Sequence, residues 1–344
     1  MRKILIFAIM AAVMITPAIF AQRGGSRGTE TVEVKLASPL PKESPWGRTL
    51  DRIASEWSRI TNNQVRLSIR HGGIEGNEGK MHLSLASDII QGAVFTSFGL
   101  SSIDPGIMTL SAPFLIRSES ELNAVMQEMQ GELDRRFNSK GNYVILAWSK
   151  SGFVNIFSKD PVYTPDDLRK VKIASNPEAS DMNTVFKTMG FQIFESDWSD
   201  VGNKLNAGTV AAVYQQPAAV AAYQLQSILK NMLSMNIAPV LGGIVLNQVT
   251  WKKIGDLNPK YQQQLLDVTR KIGNEFDSSL SKTVSDAVAT MKRSGLKENQ
   301  ATAAQQQMWF SEVERATASL LGTTFDRDIY QRVTTILTRI RGGR

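Results

Sequence analysis

The spacing of hydrophobic residues along the chain switches repeatedly between the period of a strand and the period of a helix. Apolar and charged residues alternate over 32–36, which predicts a β-strand. Ser44-Pro45 then has the form of a helix N-cap followed by a proline, and apolar residues recur three or four apart up to residue 60. A second alternating segment at 65–69 predicts the next strand, so the chain opens with a strand–helix–strand unit.

The same rhythm continues over most of the chain. Short apolar runs predict further strands at 93–98, 144–148, 171–173, 210–214 and 244–246. Capping sequences such as Thr164-Pro165-Asp166-Asp167 predict the helices between them, because acidic residues in the first turn suit the helix dipole. Alternation of this kind favours α/β layers with mainly parallel strands.

One very long helix is predicted after residue 257. Asn258-Pro259 marks its start, and apolar residues then recur every three or four positions without a break up to Gly295. About 35 residues at ~1.5 Å each give a length of ~50 Å, which exceeds the width of one small lobe. We therefore expect this helix to lie across two lobes.

The N-terminus has the pattern of a secretory signal. Basic residues precede an almost unbroken apolar run over 4–16, and small residues follow Pro17. The run is shorter than the ~20 residues that a membrane-spanning helix needs. These features predict a signal peptide at 1–21, a flexible leader at 22–30 and export to the periplasm. The chain has no cysteine, so we expect neither a disulfide nor a lipid anchor.

Composition and motif content argue against an enzyme and against a nucleic-acid-binding protein. The 344 residues include 39 Lys and Arg and 32 Asp and Glu, a net charge of +7, and the basic residues are scattered rather than concentrated in a stripe. His71 and His82 lack the spacing of a zinc site, and the chain has no Gly-x-Ser-x-Gly elbow. We predict a binding protein without catalytic activity, metal, cofactor or nucleic-acid partner.

From about Val32 to about Leu257 the chain resembles the DctP-type solute-binding proteins of TRAP (tripartite ATP-independent periplasmic) transporters. Each matching segment is short, and their order and spacing together carry the resemblance. The segments are Ser44-Pro45-Trp46-Gly47, Gly72-Gly73-Ile74-Glu75-Gly76, Ser111-Ala112-Pro113-Phe114-Leu115, Trp148, Gly152-Phe153-Val154-Asn155, the run 164–173, Gly190, the run 205–210, and Gln216-Pro217.

The resemblance implies an α/β, two-lobed periplasmic binding protein fold of the type II-like kind, with hinge strands and a long lobe-spanning helix. Lobe I is expected at 31–150 plus about 241–280, and lobe II at 151–240 plus about 281–335. The chain is expected to bend near Ser149–Gly152 and Ala238–Gly243. The family closes its lobes over a small-molecule ligand, usually a carboxylate, and delivers it to TRAP membrane permease subunits.

The chain departs from the family where typical members carry arginines that clamp the ligand carboxylate. The matching positions here are Ala174 and Val154. A bidentate arginine–carboxylate pair supplies two charge-assisted hydrogen bonds, and burying a carboxylate without one costs several kcal/mol. We therefore predict a neutral or hydrophobic ligand. Some spirochaete-type relatives work with a tetratricopeptide-repeat (TPR) partner protein and handle hydrophobic ligands, and the missing arginines make this chain similar to that subtype. Two alternatives stay open: a carboxylate binder with non-standard anchors, and a ligand-free scaffold that docks a TPR protein.

The candidate ligand contacts are aromatic or polar residues at predicted strand ends, where ligands bind in α/β sheets. They are Trp46, Glu75, Phe95, Phe98, Trp148, Phe153, Val154, Ala174, Asn176, Trp198, Tyr214, Gln215 and Gln216. The aromatic residues are equally typical of packing, and the glutamines of solvated junctions. For Glu75 and its neighbour Glu78 the sequence favours a solvated turn.

Overall fold

The structure is a computed structural model that describes residues 30–342. The predicted signal peptide at 1–21 and the leader before residue 30 lie outside the described residues. No helix within the described range is long and apolar enough to cross a membrane.

A connected sheet of 10 strands organises the described chain. The strands are β1 Val32–Ala37, β2 Val65–Arg70, β3 Gly92–Thr96, β4 Tyr143–Ser158, β5 Lys172–Ser175, β6 Gln192–Glu195, β7 Ala212–Gln215, β8 Asn231–Leu233, β9 Ala238–Asn247 and β10 Lys297–Asn299. Their order is β2-β1-β3-β9-β4-β7-β5-β6, and β8 pairs with both β4 and β10. The predicted strand segments therefore form one continuous hydrogen-bonded system.

Helices cover this sheet and connect its strands. They are α1 Pro45–Ile60, α2 Glu78–Ala86, α3 Ser97–Ser101, α4 Glu119–Gly141, α5 Pro165–Arg169, α6 Ser180–Thr188, α7 Trp198–Asn206, α8 Pro217–Ala222, α9 Gln248–Leu257, α10 Pro259–Arg293, α11 Ala303–Leu320 and α12 Arg327–Gly342. Short 3₁₀ turns lie at Pro105–Ser111 and Leu225–Ser227. The N-caps predicted at Ser44 and Thr164 are formed, since both side chains accept backbone N–H groups of their helices.

The sheet has two parallel halves joined by two antiparallel strands. β1 pairs in parallel with β2 and β3 in the first half, and β5 pairs in parallel with β6 and β7 in the second. Between them β4 and β9 run antiparallel from the pair Tyr143–Asn247 to the pair Val154–Ala238. This arrangement confirms the predicted α/β binding-protein fold, in which long strands cross from one half to the other.

An irregularity interrupts the β4–β9 ladder at the place where the sequence predicts a hinge. The register slips between the pairs Lys150–Leu241 and Phe153–Pro239. Gly152 lies within the slip at φ +83°, a conformation that glycine adopts without the steric cost of a side chain. The local geometry therefore suits a bend, and movement at Ser149–Gly152 and Ala238–Gly243 stays a prediction.

The long helix α10 has 35 residues and packs against both halves of the sheet. Leu265 and Ile272 lie in the hydrophobic core formed with β1, β2 and α1, where the Trp57 indole donates a hydrogen bond of 2.9 Å to Thr269. Met291, near the other end, is buried in the core around β7 and α7. The predicted lobe-spanning helix is confirmed.

The last two helices pack against different parts of the molecule. On α11 the Trp309 indole donates to the carbonyl of Tyr163, and Glu312 forms an ion pair with Arg169. On α12 Arg341 pairs with Glu121 of α4 at 2.9 Å. The predicted lobe division stays a prediction, but the α12 contacts are with segments assigned to lobe I rather than lobe II.

Candidate functional site

A cavity of about 240 Å³, called the main cavity here, lies where the two halves of the sheet meet. Its lining residues come from segments before β4, from β4 and the segments that follow it up to α8, and from β9. The lining residues are Glu78, Thr96, Ser97, Phe98, Met108, Ser111, Val154, Ser175, Asn176, Glu178, Ala179, Met182, Trp198, Tyr214, Gln215, Gln216, Pro239 and Val240.

The carboxyl ends of strands position most of the polar groups that line the main cavity. β3 ends at Thr96, β5 at Ser175 and β7 at Gln215, and all three residues line the main cavity. Ligand sites of α/β sheets lie at such strand ends, because the chain turns there and leaves a crevice. The location predicted from the strand pattern therefore holds a cavity.

Glu78 is the charged side chain most firmly held in the main cavity. Its Oε2 atom accepts hydrogen bonds from the Thr96 backbone N–H at 3.0 Å, the Thr96 hydroxyl at 3.1 Å and the Gly99 backbone N–H at 2.7 Å. Burial raises the pKa of Glu78 to about 7, although these hydrogen bonds oppose the shift. The predicted solvated turn is wrong for Glu78, because the start of α2 turns it inward against α3.

The main cavity contains no arginine or lysine among its described lining residues. Its acidic members are Glu78 and the exposed Glu178, whose negative charge contributes to the raised pKa of Glu78. Burial raises the pKa of Tyr214, so its hydroxyl stays neutral. The electrostatic environment is therefore neutral to negative. Within residues 30–342 no group of His, Asp or Glu side chains is arranged to hold a metal ion.

A second cavity of about 180 Å³, called the apolar annex here, adjoins the main cavity. The two share Thr96, Gln216 and Val240 as lining residues. The annex wall is largely apolar, and its members include Trp46, Leu50, Ile53, Val94, Phe95, Ala147, Trp148, Leu241, Ile244, Gly273 and Phe276. The Trp46 and Phe276 rings lie with centroids 4.0 Å apart, so α1 and α10 close the annex with aromatic surface.

Gln216 stands at the junction of the two cavities. Its side-chain amide donates to the carbonyl of Ser151 in the irregular part of β4, and its backbone N–H donates to the Gln215 side chain at 2.8 Å. The start of α8 is thereby tied to the predicted hinge. A change at the hinge would move a residue that lines both cavities.

The structure brings together most of the residues predicted from sequence. Phe98, Val154, Asn176, Trp198, Tyr214, Gln215 and Gln216 line the main cavity. Trp46, Phe95 and Trp148 line the apolar annex. Trp148 also serves the core, since its indole donates to Asp134 at 2.8 Å and packs edge-on against Phe137.

Glu75, Phe153 and Ala174 lie outside both cavities. Glu75 is 4.0 Å from Arg70 at the surface. Phe153 lines a separate groove beside α10, because it faces the opposite side of β4 from Val154. Ala174 is fully buried in the core around β7, so its lack of a cationic side chain has no direct effect on the main cavity.

Several lining residues of the main cavity were not among the predicted ligand contacts, and Glu78 and Ser175 illustrate two different reasons. Ser175 follows Ala174 at the end of β5, and alternation along a strand turns these neighbours to opposite faces. A correct register would have identified Ser175. For Glu78 the sequence offers one local indication of its position: Asn77 caps α2, so Glu78 is the first residue of that helix.

Comparisons with known proteins identify the family to which the chain belongs. The family model for bacterial extracellular solute-binding proteins, family 7 (DctP), matches residues 36–322. Over 242 residues the chain is 24% identical to the 2,3-diketo-L-gulonate-binding periplasmic protein YiaO of Escherichia coli K12, covering 69% of this chain and 71% of that protein. A stretch of 137 residues is 28% identical to a solute-binding protein of Chromohalobacter salexigens, spanning 39% of this chain and 40% of that protein.

The fold is similar to solved structures across nearly the whole chain. A TRAP periplasmic solute-binding protein of Pseudomonas putida F1 with bound D-glucuronate has a TM-score of 0.73 and 18% sequence identity, covering 88% of this chain and 96% of that one. At this identity the likeness concerns the fold. The family match, which extends over most of the chain, concerns membership: this chain belongs to the DctP family of TRAP solute-binding proteins, the bacterial extracellular solute-binding proteins of family 7.

Proposed function

We propose that this protein is the extracytoplasmic solute-binding component of a TRAP-type secondary transporter, and that it captures a neutral or hydrophobic ligand in the main cavity. The observation that carries the proposal is that the described lining residues of the main cavity and the apolar annex include no cation. A buried carboxylate ligand needs a cationic partner to offset its lost hydration.

Carboxylate ligands are the main competing possibility, because a relative of this fold has D-glucuronate bound. In this chain Val154 lines the cavity where some members of the family carry an arginine, and Glu78 adds an acidic group instead. Two carboxylates in one cavity repel each other. The described walls of the main cavity offer such a ligand only uncharged hydrogen-bond donors and no cation.

The proposed mechanism is binding and release without chemistry. A ligand that contacts both walls of the main cavity only when they approach shifts the population towards the closed form. The bend in this mechanism lies at the register slip around Gly152. The closed form then delivers the ligand to the membrane permease subunits. The TPR-repeat partner stays a prediction from the sequence.

The direct test is native mass spectrometry of the purified protein, followed by extraction and identification of any released molecule. We expect a retained neutral or apolar molecule in wild type. The variant Val154→Trp fills the main cavity and should lose it. The control Phe153→Trp changes the neighbouring residue on the opposite face of β4 and should retain it.

Calorimetric titration with D-glucuronate completes this test. We expect no binding heat with wild-type protein at millimolar ligand. Tight binding of D-glucuronate, or a carboxylate as the retained molecule, would overturn the proposal. Equal retention in the Val154 and Phe153 variants would show that the ligand lies elsewhere.

A further inference from the structure

Glu78 presents one carboxylate oxygen that its surroundings leave without a partner. Its Oε2 atom is saturated by three donors from Thr96 and Gly99, whereas Oε1 has no hydrogen-bond partner among residues 30–342. The approach to α3 is close, because a Cβ on Gly99 would lie 2.3 Å from Oε2 and 2.2 Å from the Phe95 ring. The carboxyl group is thus fixed at the wall of the main cavity with one acceptor unused.

An acceptor held in this way selects for a donor. A ligand that displaces water from this oxygen has to replace the lost hydrogen bond, which a hydroxyl or ammonium group would do. A ligand carboxylate would meet Glu78 and Glu178 with no cation in the described walls, so its binding is disfavoured.

The apolar annex indicates a second feature of the ligand, an apolar part. It opens beside Thr96, and the backbone N–H of that residue holds the Glu78 carboxylate. The two cavities share Val240 as a lining residue, so a ligand that spans both would place its donor group at Glu78 and its apolar part against Trp46 and Phe276. Apolar surface removed from water there stabilises binding by roughly 25 cal/mol per Å².

We infer that the ligand is an amphiphile, with a hydroxyl or ammonium donor bound to Glu78 in the main cavity and an apolar chain in the annex. This inference rests on the proposed function: a hydroxyl head group narrows its neutral ligand class, and an ammonium head group corresponds to its hydrophobic ligand with a charged end. The hydroxyl and the ammonium group share the donor chemistry, and the experiment below separates them. Glu78 is the specificity-determining residue for the head group, and the annex determines the preferred chain length.

The head-group test compares four probes that share one chain: octan-1-ol, octylamine, octyl methyl ether and octanoate. Binding is followed by intrinsic tryptophan fluorescence at pH 8, where Glu78 with its pKa of about 7 is ionised, and is confirmed by calorimetry. We expect octan-1-ol or octylamine to bind about tenfold more tightly than the ether, because a hydrogen bond to a charged group contributes on that scale. Octanoate should bind most weakly.

The variant Glu78→Gln sharpens this test. Three donors converge on Oε2, so the glutamine carbonyl oxygen takes its place and the amide NH₂ replaces Oε1. The variant therefore presents a hydrogen-bond donor to the ligand where wild type presents an acceptor. Octylamine, whose ammonium group can only donate, should lose about tenfold in affinity. Octan-1-ol, whose hydroxyl can also accept, should change less than threefold. The control Glu75→Gln removes the same charge from a carboxylate that lies outside both cavities and should leave both affinities unchanged.

The annex test uses Gly273 of α10, which lines the annex. A Cβ there would contact Ala147 at 3.6 Å, an ordinary van der Waals distance. The variant Gly273→Leu should weaken octan-1-ol about tenfold and butan-1-ol little, while Gly273→Ala controls for the change in helix propensity.

The outcomes separate the inference from the function on which it rests. Equal binding of octan-1-ol and its ether, no binding of any probe, or an unchanged probe order in Glu78→Gln would overturn the inference. The proposed neutral ligand would survive each of these results. Tight binding of octanoate would overturn both.

Discussion

Two buried carboxyl groups of this protein are held in opposite ways. Asp104, fully buried before the 3₁₀ turn at Pro105–Ser111, is paired with Arg136, whose Nη2 lies 2.9 Å from Oδ1, and with Lys140 at 2.7 Å. Glu78, at the main cavity, receives only uncharged donors from Thr96 and Gly99. Both carboxyl groups lose hydration, and only Asp104 has cations that compensate for the loss.

The pKa values follow this difference. Burial alone would raise the pKa of Asp104, but hydrogen bonds from Arg136 and Lys140 outweigh it and lower the pKa. At Glu78 burial prevails and raises the pKa to about 7. A fully compensated carboxyl group is typical of a structural ion pair, whereas a partly compensated one in a cavity is typical of a functional position. The comparison supports a structural role for Asp104 and the proposed ligand contact of Glu78.

The largest expected effect comes from removing the cation beside Asp104. The variant Arg136→Met leaves a fully buried carboxylate with only Lys140 as a charged partner, so we expect the free energy of unfolding to fall by about 3 kcal/mol. Urea-induced unfolding at neutral pH measures this loss.

The matched control removes a cation from an exposed pair. Lys282 and Asp286 on α10 lie 2.7 Å apart with both side chains largely exposed. Lys282→Ala should change the free energy of unfolding by less than about 0.5 kcal/mol. Equal losses in the two variants would contradict the structural role of the Asp104 cluster.

A smaller effect is expected in the pH dependence of stability. The pKa of Glu78 is raised in the folded state, so the folded protein binds this proton between about pH 4.5 and 7 while the unfolded chain releases it. Its contribution to stability is therefore present at acidic pH and is lost as the pH rises through about 7. We expect wild type to lose roughly 2 kcal/mol more than Glu78→Gln over this range.

Chemical denaturation of both proteins at a series of pH values measures this difference. Asp104 should act in the opposite direction, because its pKa is lowered: its contribution is lost as the pH falls through the folded pKa. Parallel curves for wild type and Glu78→Gln above pH 5 would show that Glu78 is ionised throughout and would weaken the comparison.

Much of the fold follows from the hydrophobic pattern alone. The alternation over 32–36, the caps at Ser44 and Thr164 and the long apolar stripe after Asn258 all form the elements they predict. These signals are local, since they depend on strand and helix periods and on cap chemistry. The antiparallel pairing of β4 with β9 has no local signal, because it joins segments far apart in sequence.

The site was harder to predict because it depends on which face each residue occupies. Val154 and Ser175 line the main cavity, whereas their neighbours Phe153 and Ala174 face other surroundings. A one-residue error in register exchanges the two faces of a strand. The inward position of Glu78 depends on α3, which lies in a later part of the chain, so no local pattern reveals it.

The smallest expected effect concerns a third carboxyl group, at the predicted hinge. Asp277 of α10 accepts hydrogen bonds from the Ser149 hydroxyl and the Lys150 backbone N–H, each at 3.0 Å, beside the register slip of β4. Burial raises the pKa of Asp277, and these two donors oppose the shift without cancelling it. Asp277→Ala leaves the Lys150 N–H without this partner, so we expect a loss of about 1 kcal/mol in unfolding free energy.

A local effect at the hinge should accompany that loss. Hydrogen exchange should become faster over residues 149–152, where the ladder is already irregular, and should stay unchanged in β1 and β2. Asp277→Asn keeps an acceptor oxygen for the same donors and should remain within about 0.5 kcal/mol of wild type. Exchange that accelerates across the whole molecule would mean that Asp277 stabilises the fold globally. Acceleration confined to the hinge would mean that α10 restrains the bend through this single side chain, and that ligand affinity should respond to it.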